Sequence, residues 1–99
     1  MPNAVNSFLT VTTVHEADVT WWWLDNTLHD LDYHIRMNDS VDKKVRELTA
    51  KYDVEQNTSY CCQWEGVQLL GADKAVVEAA GQELARHVMR FKGIQPLNL

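Results

Sequence analysis

The chain has no run near the roughly 18 consecutive apolar residues that define a candidate membrane helix, so no membrane-spanning helix is expected. Met1 to Ser7 lack the basic and apolar stretches of a secretory signal, and a cytoplasmic location is the expectation. Cysteine is scarce, and Cys61 and Cys62 are adjacent in what reads as a strand. Strand neighbours face opposite ways, so these two neither pair with each other nor jointly grip a metal. That removes a disulfide framework. No sequence neighbour supplies the base or the pKa-lowering surroundings that a cysteine nucleophile needs. Glycine is equally thin: Gly66, Gly71, Gly81 and Gly93 are scattered, never gathered into a phosphate-cradling loop. Repeats and low-complexity segments are missing too. These absences assign no catalytic residue and no cofactor, and the chain reads as a non-enzyme.

Positive charge is missing from one region in particular. Up to Asp42 there are seven acids and a single base, Arg36, whereas eight bases face seven acids from Lys43 onward. Direct binding to nucleic acid is disfavoured, because phosphate attraction needs a basic surface. A protein partner with a basic surface suits the charge better.

What is present is periodicity. Ninety-nine residues with an ordinary apolar fraction make one α+β domain, residues 1–99, with a modest core. Ser7 to Thr13 is rich in β-branched types and reads as a strand. Val14, Ala17, Trp21, Leu24, Leu28, Leu31 and Ile35 then recur at threes and fours, which predicts a long helix. Thr13 and Glu16 match a capping box at its start. The competing reading is a hairpin, turning at His15 to Asp18 with Val19 to Leu24 as a second strand. The turn lacks Gly, Asn and Pro, which favours the helix.

Asn38, Asp39 and Ser40 interrupt the pattern and offer an N-cap. A second, shorter helix follows, with Val41, Val45, Leu48 and Tyr52 as its stripe. Thr58 to Trp64 and Val67 to Leu70 read as a hairpin turning at Glu65-Gly66, pairing Trp64 with Val67, Cys62 with Leu69 and Tyr60 with Gly71. Asp73 caps a last helix whose stripe is Val77, Ala80, Leu84, Val88 and Phe91. Gly81 within it implies close packing, and Gly93 stands as its C′ residue. Ile94 to Leu99 is a final strand, placed at an edge by Pro96. The order predicts a ferredoxin-like split β-α-β-β-α-β sandwich, with an extra helix inserted after the first helix.

On the predicted long helix, Trp22 and Trp23 turn away from the stripe that holds Trp21. With Val19 and Tyr33 they form an aromatic face, rimmed by Asp18, Asp25, Asp30 and Asp32. Tryptophan and tyrosine dominate interface hot spots. These eight residues are the expected partner-binding set, in a regulatory protein-binding module or homodimer, unless the inserted helix covers the rings. Two alternatives share the sequence: a small acidic inhibitor that mimics nucleic acid, and a small-molecule sensor. Asp25, His29 and Asp32 have a spacing that lets them approach one metal ion, but such short spacings arise readily by chance, and a solvated acidic flank is the favoured reading, with no metal assigned.

Overall fold

The computed structural model describes residues 7–13, 15–60 and 64–96. They form a small α+β structure: a five-stranded antiparallel sheet carrying three helices. The elements in chain order are β1 (Leu9–Thr13), β2 (Glu16–Trp23), α1 (Asp25–Leu28), α2 (Leu31–Lys51), β3 (Glu55–Tyr60), β4 (Trp64–Leu70), α3 (Lys74–Val88) and β5 (Ile94–Pro96). The sheet runs β1-β2-β4-β3, and β5 also pairs with β2. β1 takes the Glu16–Val19 half of β2's free edge and β5 takes the Trp21–Trp23 half. No helix among the described residues is long and apolar enough to cross a membrane.

The long helix expected from Val14 to Ile35 does not form; a hairpin takes its place, with its second strand at Glu16–Trp23 rather than the Val19 to Leu24 of the competing reading. Thr13 and Glu16, expected as a capping box, face each other across the two strands; Val14, the expected helix start, lies outside the described residues. Val19-Thr20-Trp21-Trp22-Trp23 is a β-branched and aromatic run, which fits a pleated surface better than a helix. Its alternation decides the outcome. Ala17, Val19, Trp21 and Trp23 are buried on one face while Glu16, Asp18, Thr20 and Trp22 are half-buried on the other. The period-four apolar residues left over are consequently not a core stripe: Leu31 is 70% and Ile35 59% exposed, and Leu24 is exposed too. Leu28 packs only at the core's margin.

Helix α2 runs through the break expected at Asn38–Ser40. Its N-cap is Asp30, whose carboxylate accepts from the Tyr33 backbone N–H at 3.0 Å. Asn38 and Ser40 instead bond outward, to Glu65 at 3.3 Å and His87 at 2.9 Å. Met37, Val41, Val45 and Leu48 are its buried stripe.

The second hairpin forms in another register. Tyr60 pairs with Glu65, Thr58 with Val67 and Gln56 with Leu69. Cys61 and Cys62, with the pairing expected of Cys62, lie outside the described residues. Glu65 and Gly66 are strand residues, not a turn. A Cβ on Gly66 would come within 2.8 Å of Thr20 Cγ2, so glycine serves close strand contact here.

Helix α3 follows the sequence pattern as far as Val88; Phe91, expected in its stripe, lies beyond the helix end and is half-buried. Asp73 accepts from the Ala75 N–H at 2.9 Å. Val77, Ala80, Gly81, Leu84, Ala85 and Val88 are buried. Gly93 takes φ +78°, a left-handed conformation, where a side chain would strike Thr27. It lies several residues beyond the helix end and leads into β5 rather than closing α3.

Candidate functional site

The pleat gives the sheet two unlike faces, and each carries a candidate site. Both long helices pack on the face of Ala17, Val19, Trp21, Val67 and Leu69, all buried. The opposite face presents Asp18, Thr20 and Trp22 from β2, directly paired with Gln68, Gly66 and Trp64 from β4. Glu55 and Asn57 of β3 pair with Leu70 and Gln68 and extend it.

The open face has one sign of charge. None of the chain's nine lysines and arginines falls within a strand; all sit on α2, on α3 or in the turn after it. The face carries Glu16, Asp18 and Glu55. A shallow groove of about 210 Å³ crosses it, lined by Asp18, Thr20, Trp64, Gly66, Val67 and Gln68. Asp18 stands within it in an unusual state. Burial pushes its carboxyl pKa up; a hydrogen bond with Gln68 opposes this, and the neighbouring Glu16 charge adds to it. Its Oδ1 is buried with no hydrogen-bond partner among the described residues. A buried acceptor left unpaired costs about 1–3 kcal/mol. Chemically, the groove offers a carboxylate oxygen and an indole wall, the two things a lysine or arginine side chain binds.

On the covered face, a cleft of about 440 Å³ opens between α2 and the sheet. Trp21 and Trp23 line it, with Leu28, Leu31 and Val41 from the helical side and Thr58, Gly66 and Val67 from the strands. Its polar lining is His34, Asn38, Asp42 and Glu65. The Glu65 carboxyl pKa is raised because it is desolvated; hydrogen bonds from Asn38 and the Trp23 side chain, and the nearby His34, pull the other way. The His34 ring stacks on Trp23 at 3.8 Å and 15°. Its Nε2 lies 2.7 Å from the Thr27 carbonyl, which only accepts, so Nε2 carries the hydrogen. In the neutral ring Nδ1 is therefore an acceptor. Thr27 is itself fixed, since its hydroxyl donates to the Gly93 carbonyl at 2.5 Å. Trp21 Nε1 is buried and has no acceptor among the described residues.

The expected partner-binding set is divided by this geometry. Val19 is fully buried and Trp23 is 6% exposed, so neither is part of an outer aromatic helix face. Trp22 and Asp18 do face outward, on a strand. Tyr33 meets Trp23 edge-on at 6.2 Å and donates its hydroxyl to the Lys92 carbonyl. Asp25, Asp30 and Asp32 are exposed at the α1–α2 corner, away from that open face. The metal candidates Asp25, His29 and Asp32 straddle the break between α1 and α2, which destroys their helical spacing. No group of three His, Cys, Asp or Glu that could hold a metal occurs among the described residues.

Sequence reading missed Trp64, Glu65, Asn38 and His34. The strand alternation of the hairpin alternative pairs Trp22 with the outer face, but only the β2–β4 register brings Trp64 beside it. Comparison with family models, with curated proteins and with solved structures gave no match for this chain.

Proposed function

We propose that this protein is a binding module that docks its open sheet face on a basic surface of another protein. The observation that carries this reading is the Asp18 groove. A desolvated carboxylate with an unpaired oxygen, in a groove also lined by the half-buried Trp64, accepts an arginine or lysine anchor from a partner. Trp22, paired with Trp64, supplies the apolar centre that hot spots favour, and Glu16 and Glu55 steer cationic approach.

The framework supports the same reading. From Glu16 onward the order is strand, helix, strand, strand, helix, strand, apart from the short α1. We read it as a ferredoxin-like unit with β2 and β4 central, β5 and β3 outside, and β1 added beside β5. Both helices of such a unit lie on one side, which leaves the other face for association.

Cross-linking in native lysate tests this with wild type, Trp64→Ala and Asp18→Lys. The expected result is a basic protein held by wild type, released by raised salt and lost from both variants. Competition by added DNA or RNA for that protein would identify the target as a nucleic-acid-binding protein. Retention by Asp18→Lys would remove the groove from the interface. Sedimentation of the purified chain supplies the opposing outcome: a stable dimer dispersed by Trp22→Ala would make the occupant a second copy.

A further inference from the structure

We propose that the cleft between α2 and the covered sheet face is a small-molecule site for a phosphate-free heterocycle with a 2-amino-lactam edge, as in guanine-type bases. Such an edge places a carbonyl beside a ring N–H and an amino group, so two donors share one carbon. The site lies across the sheet from the proposed docking face and stands independently of it.

Four observations converge. The volume of about 440 Å³ lies within the usual small-molecule range of about 300–1,000 Å³. Indoles and aliphatic side chains form its walls, which suits a flat, largely apolar body. Trp21 and Glu65 are direct partners across β2 and β4, so their side chains leave the same face side by side. One offers an indole N–H that lacks an acceptor among the described residues; the other offers a desolvated carboxylate. A donor beside an acceptor is the complement of a carbonyl beside an N–H. The carboxylate's two oxygens match two N–H groups on one carbon, the bidentate arrangement that makes such pairs strong and selective. Asn38, at 3.3 Å, and the Trp23 side chain both hydrogen-bond Glu65 and orient that carboxylate, whose oxygens keep further lone pairs for a ligand.

Charge selects against phosphate. The ionisable groups lining the cleft are Glu65, Asp42 and His34, with no lysine or arginine. Asp42 is exposed at the rim, where it repels an anion. A nucleoside or free base therefore fits and a nucleotide does not.

Guanosine is the probe, titrated into the full chain and followed by calorimetry and tryptophan fluorescence. Saturable binding is expected, with inosine, which lacks the amino group, at least tenfold weaker. Glu65→Gln, checked for folding by circular dichroism, should also weaken guanosine at least tenfold. Guanosine monophosphate should bind more weakly than guanosine, and Asp42→Lys, an exposed change that leaves the core untouched, should narrow that gap. The proposal is overturned if guanosine produces neither heat nor a fluorescence change at millimolar concentration. Equal affinity for inosine, or unchanged guanosine affinity in Glu65→Gln, overturns it as well. Saturable manganese binding that Glu65→Gln abolishes, with no guanosine binding, would make the cleft a metal site instead.

Discussion

The two faces of one strand show how differently neighbouring residues can be used. Trp21 and Trp23 point into the helical layer and are almost wholly buried, while Trp22 between them looks out from the open side. The covered face is closed by side chains of α2 and α3; among the described residues no helix packs on the open face. Chemistry follows that division. Apolar burial on the inner side holds the fold together, and the acidic, aromatic outer side leaves interactions unmade, such as those of Asp18 Oδ1. Identical residue types thus serve stability on one face and, in the function proposed above, association on the other. Exposure, not identity, separates them.

The sharpest way to break this comparison is to truncate one residue on each side. Leu84→Ala on the inner side should cost about 2–5 kcal/mol in urea unfolding, because Leu84 is fully buried and leaves a cavity. Trp22→Ala on the outer side should cost about 1 kcal/mol or less. Similar losses would mean that the outer face is also core.

A smaller effect sharpens the inner packing. Gly81→Ala improves helix propensity by about 1 kcal/mol, yet the added methyl would lie 2.9 Å from Leu9 Cδ1 and 3.0 Å from Ala17 Cβ. The leucine end can swing aside, but Ala17 is fixed to a central strand. Overpacking of about 1–3 kcal/mol should win, so the melting temperature should fall. A rise would show that α3 can lift from the sheet at no cost.

The smallest effect concerns Glu65. Its folded pKa is raised above the ordinary 4.5, so the fold favours the protonated acid. The contribution is stabilising below the unfolded pKa and is lost as pH rises through the folded value. Above that value the ionised group burdens the fold. Glu65→Gln should therefore raise the melting temperature near neutrality and flatten its decline as pH rises above the ordinary carboxyl value. An unchanged pH profile would mean that Glu65 is solvated.

Local chemistry was legible where one interpretation had no rival. Asp73 as a cap and the α3 stripe up to Val88 depend on residues close in sequence, and the glycines at 81 and 93 announced themselves by type although the neighbours that demand them, Leu9 and Ala17 for one and Thr27 for the other, are distant. The Val14 to Ile35 stretch satisfied two periods together, since Trp21, Leu24 and Leu28 suit a helix while Ala17, Val19, Trp21 and Trp23 suit a strand. Three adjacent tryptophans belong to the second pattern because β1, β4 and β5 supply partners for both edges of β2. Those partners reach residue 96, beyond any local window. The Glu65-Gly66 turn failed for a related reason: Gly66 answers to Thr20 on another strand. Both candidate sites depend on β2–β4 register, so sequence could name Asp18 and Trp22 but not their neighbours.

The central place of β2 also bears on what the chain avoids becoming. Val19 to Trp23 is its most amyloid-like window, strongly β-prone and without charge or proline. Left at a sheet edge, that segment would template growth from molecule to molecule. Here β4 covers one edge and β1 and β5 divide the other, so its backbone has nothing left to recruit. Of the strands that border the sheet, β3 reads Glu-Gln-Asn-Thr-Ser-Tyr and β5, described over Ile94–Pro96, carries a proline, so both are poor templates, whereas β1 reads Leu-Thr-Val-Thr-Thr and keeps a β-prone outer edge. The most hazardous sequence is thus sealed within the sheet, and the β-prone edge that stays open among the described residues is the shorter one of β1.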